Sequence, residues 1–239
     1  YKIAERVLRD LGASVIVMGN RPDGININAG CGSTHPEALQ QRVLTENADI
    51  GLAFDGDADR LISVDEKGRV IDGDKIIYIC AKMLKKCGRL AGNKVTATVM
   101  SNLGFHKAVE SLGAEVDITQ VGDRYVLERM LETGCVIGGE QSGHIIFLEY
   151  STTGDGILSA LQLLKALKSS GRKLSELADE VEIYPQVLKN AQVKIENKKK
   201  YASDPQIAAE IKRIENIMAD EGRVLIRPSG TEPLVRVMI

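Results

Sequence analysis

"KVTATVMSNLGFHKAVESLGAEVDITQ", Lys94 to Gln120, decides the fold class. "KVTATVM" is a continuous apolar run of strand length. "SNLGFHKAVESLG" switches to helical spacing, with Ser101 or Asn102 as the cap and Gly113 as the stop. "AEVDITQ" returns to a strand pattern. The alternation continues with helix "DRYVLERMLETG" and strand "CVIGGE". A βαβαβ series with helices of about 8–12 residues predicts a parallel or mostly parallel sheet. This unit begins near Asp72, with helical spacing from Lys75 to Lys86. After "HIIFLE" a helix over Asp155 to Lys168 closes it, and a shorter one follows over Ser175 to Val181.

Upstream, "YKIAERVLRD" reads as an amphipathic helix and "SVIVMG" as a strand. A loop rich in Gly, Asn and Pro follows. Thr34 is the expected cap of a helix over Pro36 to Leu44. Strands "IGLAF" and "RLISVD" then flank an acidic loop, and "EKGR" is a turn. Downstream, "IYPQVLKNAQVKI" is strand-like and "ENKKKYASDP" is a polar link. "PQIAAEIKRIENIMAD" is an amphipathic helix with Ile207, Ile211, Ile214 and Met218 on one stripe. "RVLIRPSGTEPLVRVMI" reads as two strands around a tight loop. The expected fold class is therefore α/β. Two α/β domains with mixed, mostly parallel sheets, 1–71 and 72–182, are followed by a small, incomplete α+β domain, 183–239. A start at Tyr1 and an end inside a strand are both expected to be cuts.

The 239 residues are 44% apolar and 27% charged, with a net charge of −2, the balance of a soluble globular protein. Without a basic surplus, nucleic acid is not an expected partner. The absence of tryptophan and 4% aromatic content also argue against base stacking. No apolar run reaches the roughly 18 residues of a membrane span, so no membrane partner is expected. Cys31, Cys80, Cys87 and Cys135 form no C-x-x-C pair. They are expected to be buried small apolar residues in a reducing, cytoplasmic compartment.

"FDGDADR", Phe54 to Arg60, places Asp55, Asp57 and Asp59 on alternate positions with Arg60 behind them. Like charges this close repel unless a cation sits among them. Carboxylate oxygens are hard ligands suited to Mg²⁺, Ca²⁺ or Mn²⁺. A solvated polar turn is the plainer alternative. A calcium loop is another, since Glu66 stands twelfth from Asp55. Against it, Arg60 occupies the sixth position, where glycine is needed, and the flanks read as strands rather than helices. Mg²⁺ beside a phosphate, with Arg60 on a phosphoryl oxygen, fits the pattern better.

"GGEQSGH", Gly138 to His144, lies at a strand end, where open α/β sheets bind ligands. Glu140 and Ser142 can bond hydroxyls, and His144 can carry a proton. An ordinary Gly-rich turn is the alternative. "RPSGTEP", Arg227 to Pro233, has the makings of a phosphate cradle. Ser229, Gly230 and Thr231 offer backbone N–H groups and two hydroxyls, and Arg227 and Arg236 offer cations. A hairpin turn is the plainer reading. Arg124, in "VGDRYV", adds a cation at a helix start. A metal, hydroxyl-binding groups and a phosphate clamp are the parts needed for phosphoryl transfer on a phosphosugar.

"FDGDADR", "GEQSGH" and "RPSGTEPLVRVM" resemble the metal, sugar and phosphate loops of the α-D-phosphohexomutases. "RPDGININ", "MSNLG", "VGDRYVLE" and "TTGDG" resemble the phosphoglucosamine mutase branch, and the resemblance runs along essentially the whole chain. It implies Mg²⁺ on Asp55, Asp57 and Asp59. It implies Arg60 near the transferred phosphoryl group, Glu140, Ser142 and His144 on the sugar, and Arg227, Ser229, Gly230 and Thr231 on the other phosphate. The implied reaction interconverts glucosamine 6-phosphate and glucosamine 1-phosphate through a phosphoserine and a bisphosphorylated intermediate. A hexosamine phosphate is then the partner.

The family's serine loop, of the Ser-His-Asn-Pro type, does not occur in this sequence. The resemblance thus implies a chain that begins in the second of four domains and is inactive alone. Phosphomannomutase or phosphoglucomutase activity remains open, as does a non-catalytic module that binds metal and sugar phosphate. Oligomeric state is not legible.

Overall fold

The computed structural model describes residues 1–198, 200–229 and 232–239. It falls into two compact units. One comprises Tyr1–Ser101 and Phe105–Glu182, the other Asn102–Gly104 and Ile183–Ile239.

The first unit opens with α1 (Ile3–Asp10) and α2 (Glu37–Glu46). Strands β1 (Ile50–Phe54), β2 (Leu61–Asp65) and β3 (Val70–Ile71) form an antiparallel sheet in the order β1-β2-β3. All five residues of the central β2 are buried, the polar Ser63 and Asp65 included. Next come α3 (Gly73–Lys86), β4 (Lys94–Thr98), α4 (Leu103–Ser111), β5 (Glu115–Thr119), α5 (Asp123–Thr133), β6 (Ile137–Gly139), β7 (Ile145–Phe147), α6 (Gly156–Ser170) and α7 (Leu174–Ala178). Their sheet has the order β5-β4-β6-β7. β4 runs parallel to β5 and β6, and β7 returns antiparallel to β6. The sheet is mixed and mostly parallel, as the βαβαβ alternation predicts.

One apolar cluster joins Leu61 of β2, Ile76, Ile77 and Cys80 of α3, Val95 of β4, Ile137 of β6 and Leu163 of α6, so both sheets share a core. Each such side chain contributes about 1.5–3 kcal/mol on burial. A smaller cluster of Val126, Met130, Cys135 and Ile146 lies under α5. Helix ends follow local chemistry. Asp72 and Asp155 cap α3 and α6 by accepting from the amides of Lys75 and Leu158. Gly134 and Gly171 end α5 and α6 in left-handed conformation.

Three local expectations change. "SVIVMG" makes no strand, because its backbone finds no ladder partner among the described residues, and Ile16 and Met18 are exposed. Thr34 does not cap α2; Pro36 holds the cap position without a side-chain bond. Cys80 and Cys135 are buried, but Cys87 is exposed and Cys31 half-buried. Cys87 follows the last residue of α3 and so falls beyond the helix's packed stretch. All four are free thiols. Among the described residues, no helix is long and apolar enough to cross a membrane.

The second unit contains β8 (Leu188–Gln192), α8 (Pro205–Met218), β9 (Leu225–Pro228) and β10 (Leu234–Met238). Its antiparallel sheet has the order β8-β10-β9. Asp204 caps α8, whose first residue is Pro205, a favourable pairing. The "ENKKKYASDP" segment, expected as a polar link, includes a 3₁₀ turn over Lys200–Ser203.

Candidate active site

The acidic loop joins β1 to β2. Its turn forces Ala58 into left-handed backbone, φ 60°, a conformation that is uncommon outside glycine and recurs at functional loops. The turn brings one carboxylate oxygen each from Asp55, Asp57 and Asp59 within 4.8 Å of one another. The Arg60 amide donates to Asp55 Oδ1 (3.2 Å) and so ties the loop's two ends. Arg60 Nε lies 3.6 Å from Asp55 Oδ2 and 3.8 Å from Asp59 Oδ1.

The donor set fits a hard divalent cation. Asp59 Oδ1 is buried and accepts no hydrogen bond. Burial, then the adjoining carboxyl of Asp55 and the charges of Asp55 and Asp57, push the Asp59 carboxyl above its ordinary value, with His144 opposing. A cation among these oxygens would reverse that penalty.

The Glu140–Gly143 turn joins β6 to β7 and is fastened from two directions. Leu61, at the start of β2, donates its amide to Gly143 O (3.0 Å), and Gly73, at the start of α3, donates to Gln141 O (2.9 Å). Gln141 Nε2 in turn donates to Asp72, the α3 cap (3.0 Å). Gly143 has φ +95°, and a Cβ there would stand 2.3 Å from Leu61 O, so only glycine fits. Arg60 and His144 then face each other in an isolated antiparallel bridge. The acidic and sugar loops predicted from sequence therefore meet.

His144 is 3% exposed, and its Nε2 is 3.6 Å from Asp59 Oδ2 and 4.0 Å from Asp123 Oδ2. Nε2 accepts the amide of Gly154 (3.3 Å), which assigns the proton of the neutral ring to Nδ1. Glu140 accepts from the Gly122 amide through Oε1 (2.9 Å) and from Ser142 Oγ through Oε2 (3.3 Å). Arg124 lies in the first turn of α5, 80% exposed, with its Nε on Glu128 (2.7 Å).

Two contributors escape sequence reasoning. One is Asp123, a helix-start residue whose neighbour Arg124 drew attention instead. The other is Gly154, whose missing side chain makes room for His144. A Cβ on Gly154 would be 2.4 Å from His144 Nε2 and 2.9 Å from Asp59 O. Glycine at 154 and 156 around the cap Asp155 was the available signal.

In the second unit, Arg227 of β9 and Arg236 of β10 are direct cross-strand partners. Such partners share one sheet face, and like charges there are unfavourable unless an anion joins them. Arg236 Nη2 donates to Glu232 (3.0 Å), whereas Arg227 has no ion pair among the described residues. Ser229 is buried, with Oγ accepting from the Glu232 amide (3.2 Å). Gly230 and Thr231 lie outside the described residues.

Family models match nearly the whole chain in three consecutive pieces. Residues 1–68 match phosphoglucomutase/phosphomannomutase alpha/beta/alpha domain II, residues 72–184 domain III, and residues 191–239 the C-terminal domain. The chain belongs to the phosphoglucomutase/phosphomannomutase family. Within this family of phosphohexomutases it falls in the phosphoglucosamine mutase branch. It is 59% identical to a phosphoglucosamine mutase of Acetivibrio thermocellus over 100% of this chain and 53% of that protein. It is 58% identical to one of Desulforudis audaxviator, over 100% of this chain and 52% of that protein. The chain thus spans about half the length of the curated relatives it matches. A solved phosphoglucomutase/phosphomannomutase family protein of Burkholderia thailandensis superposes with a TM-score of 0.79 at 25% identity, covering 98% of this chain and 52% of that one. Aspergillus fumigatus N-acetylphosphoglucosamine mutase, solved with GlcNAc-6P and magnesium, shares the fold, with a TM-score of 0.69 at 23% identity over 88% of this chain and 49% of that one.

Proposed function

We propose that this chain supplies the metal, sugar and phosphate loops of a cytoplasmic phosphoglucosamine mutase, with residues 1–71, 72–182 and 183–239 as its three domains. The bridge between Arg60 and His144 carries the reading, because it joins a metal-type acidic triplet to a turn rich in hydroxyl-binding groups. The activity is that of a polypeptide carrying these residues together with a phosphoserine loop.

Asp55, Asp57 and Asp59 would hold Mg²⁺, which neutralises charge on phosphoryl oxygens when bound. Arg60 has its Nη groups without partners among the described residues, so it can hold a phosphoryl oxygen while Nε stays beside Asp55 and Asp59. Glu140 and Ser142 orient the sugar hydroxyls. Their mutual hydrogen bond and the Gly122 amide fix them before substrate arrives. His144 can move a proton at the sugar hydroxyl as its O–P bond forms and the serine O–P bond breaks. Arg227, Ser229, Gly230, Thr231 and Arg236 hold the phosphate already on the sugar, and Arg124 is a further cation for it. Reorienting the bisphosphorylated sugar and returning the other phosphate to the serine interconverts glucosamine 6-phosphate and glucosamine 1-phosphate.

The test is an assay of the full-length gene product with glucosamine, glucose and mannose phosphates, with and without Mg²⁺. Highest kcat/KM for the glucosamine pair, dependent on Mg²⁺, is expected. A preference for glucose or mannose phosphates would reassign the substrate, and no mutase activity on any of them would overturn the reading.

A further inference from the structure

We propose that Asp123 is a specificity-determining residue whose carboxylate receives the 2-ammonium group of the hexosamine phosphate. The inference rests on the hexosamine-phosphate reading above and adds to it the group that distinguishes an amino sugar from a neutral one.

Asp123 begins α5 beside the sugar loop. Its Oδ2 is 4.0 Å from Nε2 of the buried His144, just beyond hydrogen-bond reach. Its Oδ1 accepts the amide of Arg124 (2.8 Å), which fixes the carboxylate against the helix start. Oδ2 accepts no hydrogen bond from a described residue, and the side chain is 66% exposed. No lysine or arginine among the described residues neutralises it. Arg124, the adjacent cation, is turned to Glu128 instead (2.7 Å).

The other carboxylates nearby belong to other groups: Asp55, Asp57 and Asp59 form the acidic triplet, and both oxygens of Glu140 hold protein donors, the Gly122 amide and the Ser142 hydroxyl. Gly122 immediately precedes Asp123, so the bond to Glu140 also sets where the Asp123 backbone stands. A sugar seated on Glu140 and Ser142 therefore has an unpaired anionic oxygen within reach of a neighbouring ring substituent. A primary ammonium satisfies that oxygen with a charge-assisted hydrogen bond. A neutral hydroxyl does so less strongly, and a bulky amide does not supply the charge.

The experiment compares full-length wild type with D123N and D123E. It measures kcat/KM for glucosamine 6-phosphate and the inhibition constants of glucose 6-phosphate and N-acetylglucosamine 6-phosphate against it. In D123N, kcat/KM for glucosamine 6-phosphate should fall about tenfold to a hundredfold, as expected for loss of one hydrogen bond to a charged group. The inhibition constants of the uncharged sugars should shift by a much smaller factor, and D123E should recover part of the preference. An equal loss for charged and neutral sugars in D123N would overturn the inference and leave the function standing, as would no loss at all. A wild-type enzyme that favours neutral hexose phosphates would instead overturn the substrate assignment, and this inference with it.

Discussion

Arg60 and His144 stand opposite each other in a two-residue antiparallel bridge, 84 positions apart in the chain. Around that bridge the loop after β1, the turn after β6 and the segment before α6 all meet. The Gly156 amide donates to Ala58 O (2.9 Å), and the Gly154 amide donates to His144. Backbone bonds thus hold the acidic loop against the Glu140–Gly143 turn.

That arrangement bears on the metal. Asp57 is exposed and no packing depends on it. Asp57→Asn should leave the fold intact, weaken Mg²⁺ binding, and lower kcat of the full-length enzyme by at least a hundredfold. Mg²⁺ at a hundred times its dissociation constant should stabilise the wild type by about 2.7 kcal/mol. A melting series with and without Mg²⁺ checks this: the wild type should shift upward and Asp57→Asn much less. Equal shifts, or normal turnover in the variant, would remove the triplet from the metal site.

Gly154→Ala tests the backbone scaffold. The added methyl would collide with Nε2 of the buried His144 and with the backbone carbonyl of Asp59. Overpacking of this kind costs about 1–3 kcal/mol. A displacement of His144 or Asp59 by an ångström should lower kcat about a hundredfold. Circular dichroism and kinetics together read the outcome, and a fully active, equally stable variant would refute the close approach.

The parallel sheet was legible because helical and strand periodicities alternate cleanly from Lys94 to Gly139, and glycines at 113, 134 and 171 mark helix ends. The acidic triplet was legible because alternation of charge inside an apolar setting is costly without a purpose. "SVIVMG" misled because β propensity describes a surface to be packed, and here no strand lies alongside. Asp123 and Gly154 were not legible as partners of His144. Their contacts cross 21 and 10 positions, and one of them depends on the absence of a side chain. The exposure of Cys87 likewise depends on where α3 stops packing, which cysteine spacing does not encode.

The proposed phosphate cradle makes a separate prediction. Arg227 and Arg236 are cross-strand neighbours, but only Arg236 is balanced by a carboxylate, Glu232. Arg227→Ala in the full-length enzyme should therefore raise KM about tenfold to a hundredfold with a smaller change in kcat, the pattern of lost ground-state binding. Arg227→Lys should recover part of the affinity without bidentate geometry. Initial-rate kinetics decide, and an unchanged KM would remove the cradle from the substrate's phosphate.

Stability at low pH turns on Glu180. Burial disfavours its charge, yet hydrogen bonds from Lys82, Arg172 and Tyr78 outweigh that cost and hold its carboxyl below the ordinary value of 4.5. Tyr78 Oη donates at 2.8 Å, and Lys82 and Arg172 form close ion pairs with it. The cluster ties α3 to the end of α7. A carboxyl whose folded value is depressed contributes stability that is fully present above its unfolded value and is lost as pH falls through the folded one. The wild type should accordingly lose stability as pH drops below about 4.5. Glu180→Gln keeps the shape but removes the charge, and should cost about 1–2 kcal/mol at neutral pH. The difference between the two proteins should shrink on acidification, because the wild-type carboxyl then becomes neutral as well. Urea unfolding of both at pH 7 and pH 3.5 measures it. A gap that stays constant across that range would show that the ionised carboxylate does not hold these helices together.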